Sequence, residues 1–167
     1  MNSQPDYDIE LKPSELTIES IINQEYVPAG IKDRIREANL LFIPKIINSK
    51  PYFEVETLDL FNYFKEFESE GLKTEICIAD EDFQYRRDEA IKEYLVIGWF
   101  FLKNIVLKPF INKLKEYLKR KLGKKRLIEL KLTIKKTKQT NTVDLEYKGV
   151  IDDLDRIFDR LGDSWNE

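Results

Sequence analysis

The chain has 167 residues, 42% hydrophobic and 35% charged, with a net charge of -3 and only six Gly and six Pro. That describes one charge-rich globular domain and excludes a disordered chain or one built on long flexible linkers. Histidine is absent and Cys77 is the single cysteine. The commonest general acid/base, imidazole metal ligation, Ser-His or Cys-His nucleophile pairs, an intrachain disulfide and a one-chain cysteine zinc site are therefore all excluded.

The opening "MNSQPDYDIE" has neither a basic n-region nor an apolar h-region, which points away from a secretory signal peptide. With the lone cysteine it indicates a reducing, cytoplasmic setting. Residues 1–12 read as poorly ordered. "PSELTIESIINQ" places Leu16, Ile18, Ile21 and Ile22 in a short helix with Ser14 as its N-cap. "VPAGIKDRIREAN" is a second short helix, and "LLFIPKII" is a strand ended by Pro44. "ETLDLFNYFKEFESEG" repeats Leu58, Phe61, Phe64 and Phe67 on one helical face and stops at Gly71. "LKTEICIAD" alternates like a strand and buries Cys77. Strand, helix and strand in that order predict a βαβ unit with two parallel neighbouring strands.

Residues 82–122 read as one long helix, with Asp80, Glu81 and Asp82 at its start, Lys119, Arg120 and Lys121 at its end, and Gly123 as its stop. This polarity suits the helix macrodipole, and Pro109 inside it predicts a kink. Its stretch from Tyr94 to Leu102 is apolar or aromatic throughout, so it serves as a buried core helix or as an interface completed by another chain. A membrane span is disfavoured, because Lys103 and Lys108 arrive before about twenty apolar residues have accumulated. A lysine near the bilayer centre costs about 2.5 to 3.5 kcal/mol.

"RLIELKLTIKK" sets Leu127, Glu129, Lys131 and Thr133 against Ile128, Leu130, Leu132 and Ile134, and "VDLEYKGV" alternates again through Val143, Leu145 and Tyr147. The two form an antiparallel hairpin across the "TKQTNT" tip, a candidate mobile loop. "DDLDRIFDRLGDSW" ends the chain as an amphipathic helix carrying Leu154, Ile157, Phe158 and Leu161. The whole predicts a single α+β domain over residues 1–167. Helices and the βαβ unit occupy 13–80, the long helix 82–122, and the hairpin plus helix 126–161. In it a small mixed sheet of about four strands packs on one long kinked helix and the C-terminal helix.

Charge is segregated along the chain. Residues 1–90 hold 10 basic and 20 acidic side chains, and residues 91–167 hold 18 and 11. Residues 103–138 alone carry 14 Lys or Arg against Glu116 and Glu129. The apolar stretch and this basic block supply the candidate partner-binding residues: Trp99, Phe100, Phe101, Lys113, Lys115, Lys119, Arg120, Lys121, Lys124, Lys125 and Arg126. Another protein, either a second copy or a different chain with an acidic surface, suits the block. Nucleic acid and an anionic membrane surface are the other partners such a block attracts. The chain is acidic overall, however, and the block carries no recognition helix or aromatic stacking platform.

The order of an apolar helix, a basic tail, the hairpin "ELKLTIKK" and "VDLEYKGV", and the closing "DDLDRIFDRL" over residues 95–161 resembles the effector-associated constant component modules of bacterial conflict systems. The hairpin tip is long and lysine-rich rather than an Asp-Gly turn, and residues 1–90 are not covered. The resemblance implies a non-enzymatic role in anti-phage or toxin-related defence, coupling sensors to effectors by protein contacts, and it supplies no catalytic residue.

Two acidic clusters test the enzyme alternative. "ADEDFQYRRDEA" groups Asp80, Glu81, Asp82, Asp88 and Glu89 beside Arg86 and Arg87. A strand ending in Asp80 suits metal-dependent phosphodiesterase-like chemistry, but no glycine loop for phosphate and no calcium-loop spacing accompany it. Helix-start charge with local ion pairs accounts for the run. Asp152, Asp153, Asp155, Asp159 and Asp163 read in the same way as a solvated helix face. The expectation is a non-catalytic adaptor without metal or cofactor. An immunity or inhibitor protein, a membrane-associated effector acting through residues 94–107, and the metal-dependent enzyme are its alternatives.

Overall fold

The computed structural model describes residues 7–78, 93–136 and 142–162. The elements run β1 (Tyr7–Ser14), α1 (Ile18–Ile22), α2 (Lys32–Glu37), β2 (Leu40–Ile43), β3 (Lys45–Ile47), β4 (Lys50–Tyr52) and α3 (Thr57–Lys65). They continue through β5 (Thr74–Ile76), β6 (Leu95–Lys103), α4 (Leu107–Leu122), β7 (Leu127–Lys135), β8 (Thr142–Val150) and α5 (Arg156–Leu161). The fold is α+β, with a six-stranded mixed sheet in the order β1-β8-β7-β6-β2-β5 and a separate β3-β4 hairpin.

The βαβ unit is present: β2 and β5, joined through α3, pair in parallel from Leu40↔Thr74 to Phe42↔Ile76. The C-terminal hairpin is also present, with β7 and β8 antiparallel from Leu127↔Val150 to Lys135↔Thr142. Alternation along these strands sends Ile128, Leu130, Leu132, Leu145 and Tyr147 to one face. There they meet Phe64 of α3, Phe110 and Leu114 of α4, and Ile157 of α5. The opposite face holds a second core, in which Leu41, Ile43, Cys77 and Phe101 pack on Ile21, Ile22 and Ile35 from α1 and α2. Those two helices have only five and six residues. The sheet residues of this second core come from β2, β6 and Cys77. On the same face β1, β8 and β7 carry exposed Asp8, Glu10, Lys12, Glu146 and Lys148, with Glu129 and Lys131 half-buried.

The apolar stretch corrects the expected helix over 82–122. Leu95–Lys103 is strand β6, residues 79–92 lie outside the described residues, and α4 starts only at Leu107. The physical reason is the location of β6 inside the sheet. It pairs with β7 in parallel and with β2 antiparallel, and it feeds a core on each face of the sheet, Ile97, Phe100 and Leu102 into one and Trp99 and Phe101 into the other, so the polar alternation that marks a half-exposed strand disappears. Val96, Ile97, Trp99, Phe100 and Phe101 are the β-branched and aromatic types that such a position favours. Phe100 feeds one core and Phe101 the other.

Pro109 makes no kink, because it is the third residue of α4, where its missing N–H would have had no intrahelical acceptor. Residues 7–12 are ordered as part of edge strand β1, paired along its length with β8. Ser14 ends that strand, and the cap of α1 is Thr17, which forms a reciprocal capping box with Ser20. In α3 the buried positions are Thr57, Leu60 and Phe64, whereas Leu58 is exposed. Offsets of three and then four, from Thr57 to Leu60 to Phe64, define its inner face.

Candidate functional site

The site arises where β2 stops short. β6 pairs with β7 from Leu95 to Lys103, but with β2 only from Trp99 to Leu102. Pro44 follows Ile43 and cannot donate to a ladder. The chain leaves the sheet there and folds into β3-β4, whose central residues Asn48 and Ser49 have φ of 52° and 65°. Two consecutive positive φ values belong to the primed turn that joins tight hairpins. The hairpin stands off from β6, and a cleft of about 710 Å³ lies between them.

Its walls are mostly apolar and aromatic, as small-molecule and peptide sites usually are. Tyr26 follows α1, Ile46 and Tyr52 come from the hairpin, Val96 and Trp99 from β6, and Lys131 from β7. Ile46 is 50% exposed at the cleft rim. Trp99 is held by a short polar chain. Its indole N–H donates to Thr133 Oγ1 at 2.9 Å, and that hydroxyl donates to Asp144 Oδ1 at 2.7 Å. The Lys131 ammonium lies 4.3 Å from the centroid of the Trp99 ring, within cation–π range. Burial pushes the Tyr26 phenol up to about 12, with Cys77 adding to the effect, so Tyr26 presents a neutral hydroxyl at the cleft.

Apart from Phe100 in the cleft floor, the remaining candidate residues lie elsewhere. Phe100 and Phe101 are 1% and 2% exposed and offer no contact surface. Lys113, Lys115, Lys119 and Lys121 of α4 are directed at the protein's own carboxylates. Lys113 reaches Glu70 at 3.7 Å and covers the Phe67 ring. Lys115 meets Asp152 and Asp155, and Lys119 meets Asp152. Lys121 donates to Glu56 at 2.7 Å, to Asp59 at 3.2 Å and to the Tyr117 hydroxyl at 3.1 Å. The hydrogen bond to Glu56, followed by that to Tyr117, raises its pKa above the ordinary lysine value. Arg120 stacks near Tyr63, and Arg126 donates to the Glu93 carbonyl at 3.1 Å. Lys124 and Lys125 are exposed beyond the helix end. The block therefore tethers α4 to α3 on one side and to the turn before α5 on the other.

The C-terminal aspartates supply part of that tether, while Asp159 pairs with Arg156 at 3.4 Å. Asp163 and the run from Asp80 to Glu89, with Arg86 and Arg87, lie outside the described residues, as does the hairpin tip over 137–141. Among the described residues no group of three or more Cys, Asp or Glu side chains is placed to hold a metal ion. No helix among them is long and apolar enough to cross a membrane.

Of the eleven candidates Trp99 and Phe100 line the cleft, Phe100 as a buried residue of its floor. Tyr26, Ile46 and Tyr52 were missed, since three segments separated by a helix, a turn and a strand must converge to make them neighbours. The one local signal was the "FIPKIINSKPYF" run, where a proline, a turn pair and a second proline bracket an apolar hairpin. No family model, curated protein or solved structure matches the chain.

Proposed function

We propose that the protein is a non-catalytic interaction module, an adaptor that takes a segment of another protein into the cleft beside Trp99. The observation that carries this reading is the cleft itself: about 710 Å³, walled by Tyr26, Tyr52 and a pre-oriented Trp99, with Ile46 exposed at its rim. Aromatic anchors held in place before binding lose little side-chain freedom when a partner arrives. The lysine-rich helix, assigned the same task from its charge, is engaged with the protein's own acidic side chains instead. A setting in bacterial defence rests on the resemblance of residues 95–161, of which the hairpin and closing helix are present and the apolar helix is replaced by β6.

Co-purification from cells that encode the protein tests the reading. Tyr52→Ala and Ile46→Asp should each release the partner, whereas Lys124→Glu with Lys125→Glu should retain it. The opposite pattern would move the interface to the basic segment. Light scattering on the recovered complex then separates an immunity protein, which forms a one-to-one pair, from an adaptor, which forms a larger assembly.

A further inference from the structure

We infer that the protein self-associates as a symmetric dimer in which β1 pairs antiparallel with β1 of a second copy, about a two-fold axis at Leu11. The contact is independent of the cleft. β1 is the outer strand of the sheet, and its eight residues span roughly 27 Å at the usual rise. One side is bonded to β8 along its whole length, from Tyr7↔Gly149 to Ser14↔Thr142. Among the described residues no strand lies on the other side, and no main-chain hydrogen bond reaches residues 7–13 from there. Residues 9–12 line a groove of about 330 Å³ with Arg160 of α5.

Pro13 identifies the free groups. It stands opposite Val143 but has no N–H to give β8, so its main chain points outward, as it does for prolines in edge strands. Main-chain groups alternate along a strand, so Tyr7, Ile9 and Leu11 also aim their N–H and C=O away from β8. Such a row is a template for another chain, and lysine and proline are the residues that ordinarily block it. Here Lys12 and Pro13 leave one register. A two-fold axis normal to the sheet keeps the faces matched, so the axis passes through a residue and not between two. Centring on Asp8, Glu10 or Lys12 sets a charge against its own copy, and centring on Ile9 sets Asp8 against Glu10. Centring nearer either end leaves almost no overlap.

Centring on Leu11 overlaps residues 8–14 and sets Glu10 of each copy against Lys12 of the other. Leu11 then exchanges both main-chain bonds with its own copy, and each Ile9 N–H donates to the Pro13 carbonyl opposite. The missing proline N–H removes only the return bond. The Glu10 and Lys12 pairs fall at the non-hydrogen-bonded positions, where side chains approach more closely. Glu10 already stands opposite Glu146 of β8, a destabilising like-charge pair that a lysine on the other flank offsets. On the opposite face Leu11, packed partly against the core, meets its own copy.

The test is light scattering on the full chain with charge swaps at this edge. The parent should be a dimer at about 100 μM. Glu10→Lys and Lys12→Glu should each weaken dimerisation about tenfold or more, and the double swap should restore it by rebuilding both pairs with reversed signs. Glu10→Lys also turns the repulsion from Glu146 into attraction, so this variant should resist urea at least as well as the parent while losing the dimer. In amide exchange followed by nuclear magnetic resonance, the Ile9 and Leu11 N–H groups should be protected in the parent dimer and exposed in Glu10→Lys. The Lys12 N–H, bonded to β8, should be protected in both. A parent that is monomeric at about 100 μM, a dimer that survives both single swaps, or a double swap that stays monomeric would each overturn the proposal. Ile9 and Leu11 amides that exchange freely in the dimer would overturn it as well.

Discussion

Thr133 is fully buried on a sheet face whose other members in β7 are Leu127, Glu129, Lys131 and Lys135, and its hydroxyl has two jobs. It accepts from the Trp99 indole and donates to Asp144. Thr133→Val keeps the shape and removes both bonds, leaving two polar groups without their partner. The expected loss is about 1–3 kcal/mol in urea unfolding, whereas Thr133→Ser should recover most of it. Tyr26 makes a second residue-level prediction. Its folded pKa is raised from about 10 to about 12 by burial, so the fold favours the neutral phenol. That contribution is complete below pH 10 and is lost as pH rises toward 12. The urea midpoint should fall across this window, and Tyr26→Phe should fall less steeply.

At the scale of elements, β6 and α4 exchange the roles that their composition suggests. The most apolar segment of the chain is the strand that both cores share, and the most basic one is a helix fastened to its neighbours. Lys121 is the fastening that reaches farthest in sequence, bonding Glu56 and Asp59 of the α3 region. Its side chain is 36% exposed, so solvent screens the pair and its worth is modest. A double-mutant cycle with Lys121→Ala and Glu56→Ala should give a coupling of about 0.5–1 kcal/mol. The coupling should shrink in 1 M salt, because the Debye length falls to about 3 Å there. An unchanged coupling would mean that packing against Tyr117, not charge, joins the helices.

For the whole molecule, one sheet carries two cores on opposite faces, and β2 and β6 contribute to both. Removing either core exposes the same central strands, so the protein should unfold as one unit. Near-ultraviolet and far-ultraviolet circular dichroism should give coincident urea transitions, and separated midpoints would show that the α1-α2 layer opens independently. The charge segregation along the chain also acquires a meaning at this scale. Glu56, Asp59 and Glu70 from the acidic half meet Lys121 and Lys113 from the basic half across α3 and α4. Much of what looked like a surface for an acidic partner is neutralised within one molecule.

Local patterns sufficed for the α+β class, the β2-α3-β5 unit, the β7-β8 hairpin, buried Cys77 and the closing helix, because each is written in a period of two or near four over adjacent residues. They could not place residues 95–103, since a segment that is apolar on both of its faces shows no period and reads equally as helix or strand. They also could not place the cleft. Pro44 and the Asn48-Ser49 turn are visible in the sequence, but the space they leave beside β6 exists only once β6, β7 and the hairpin are set against one another. Composition and short-range periodicity determined which elements form. Tertiary structure decided which of them lies at the centre and where the cleft forms, because those depend on contacts between residues tens of positions apart.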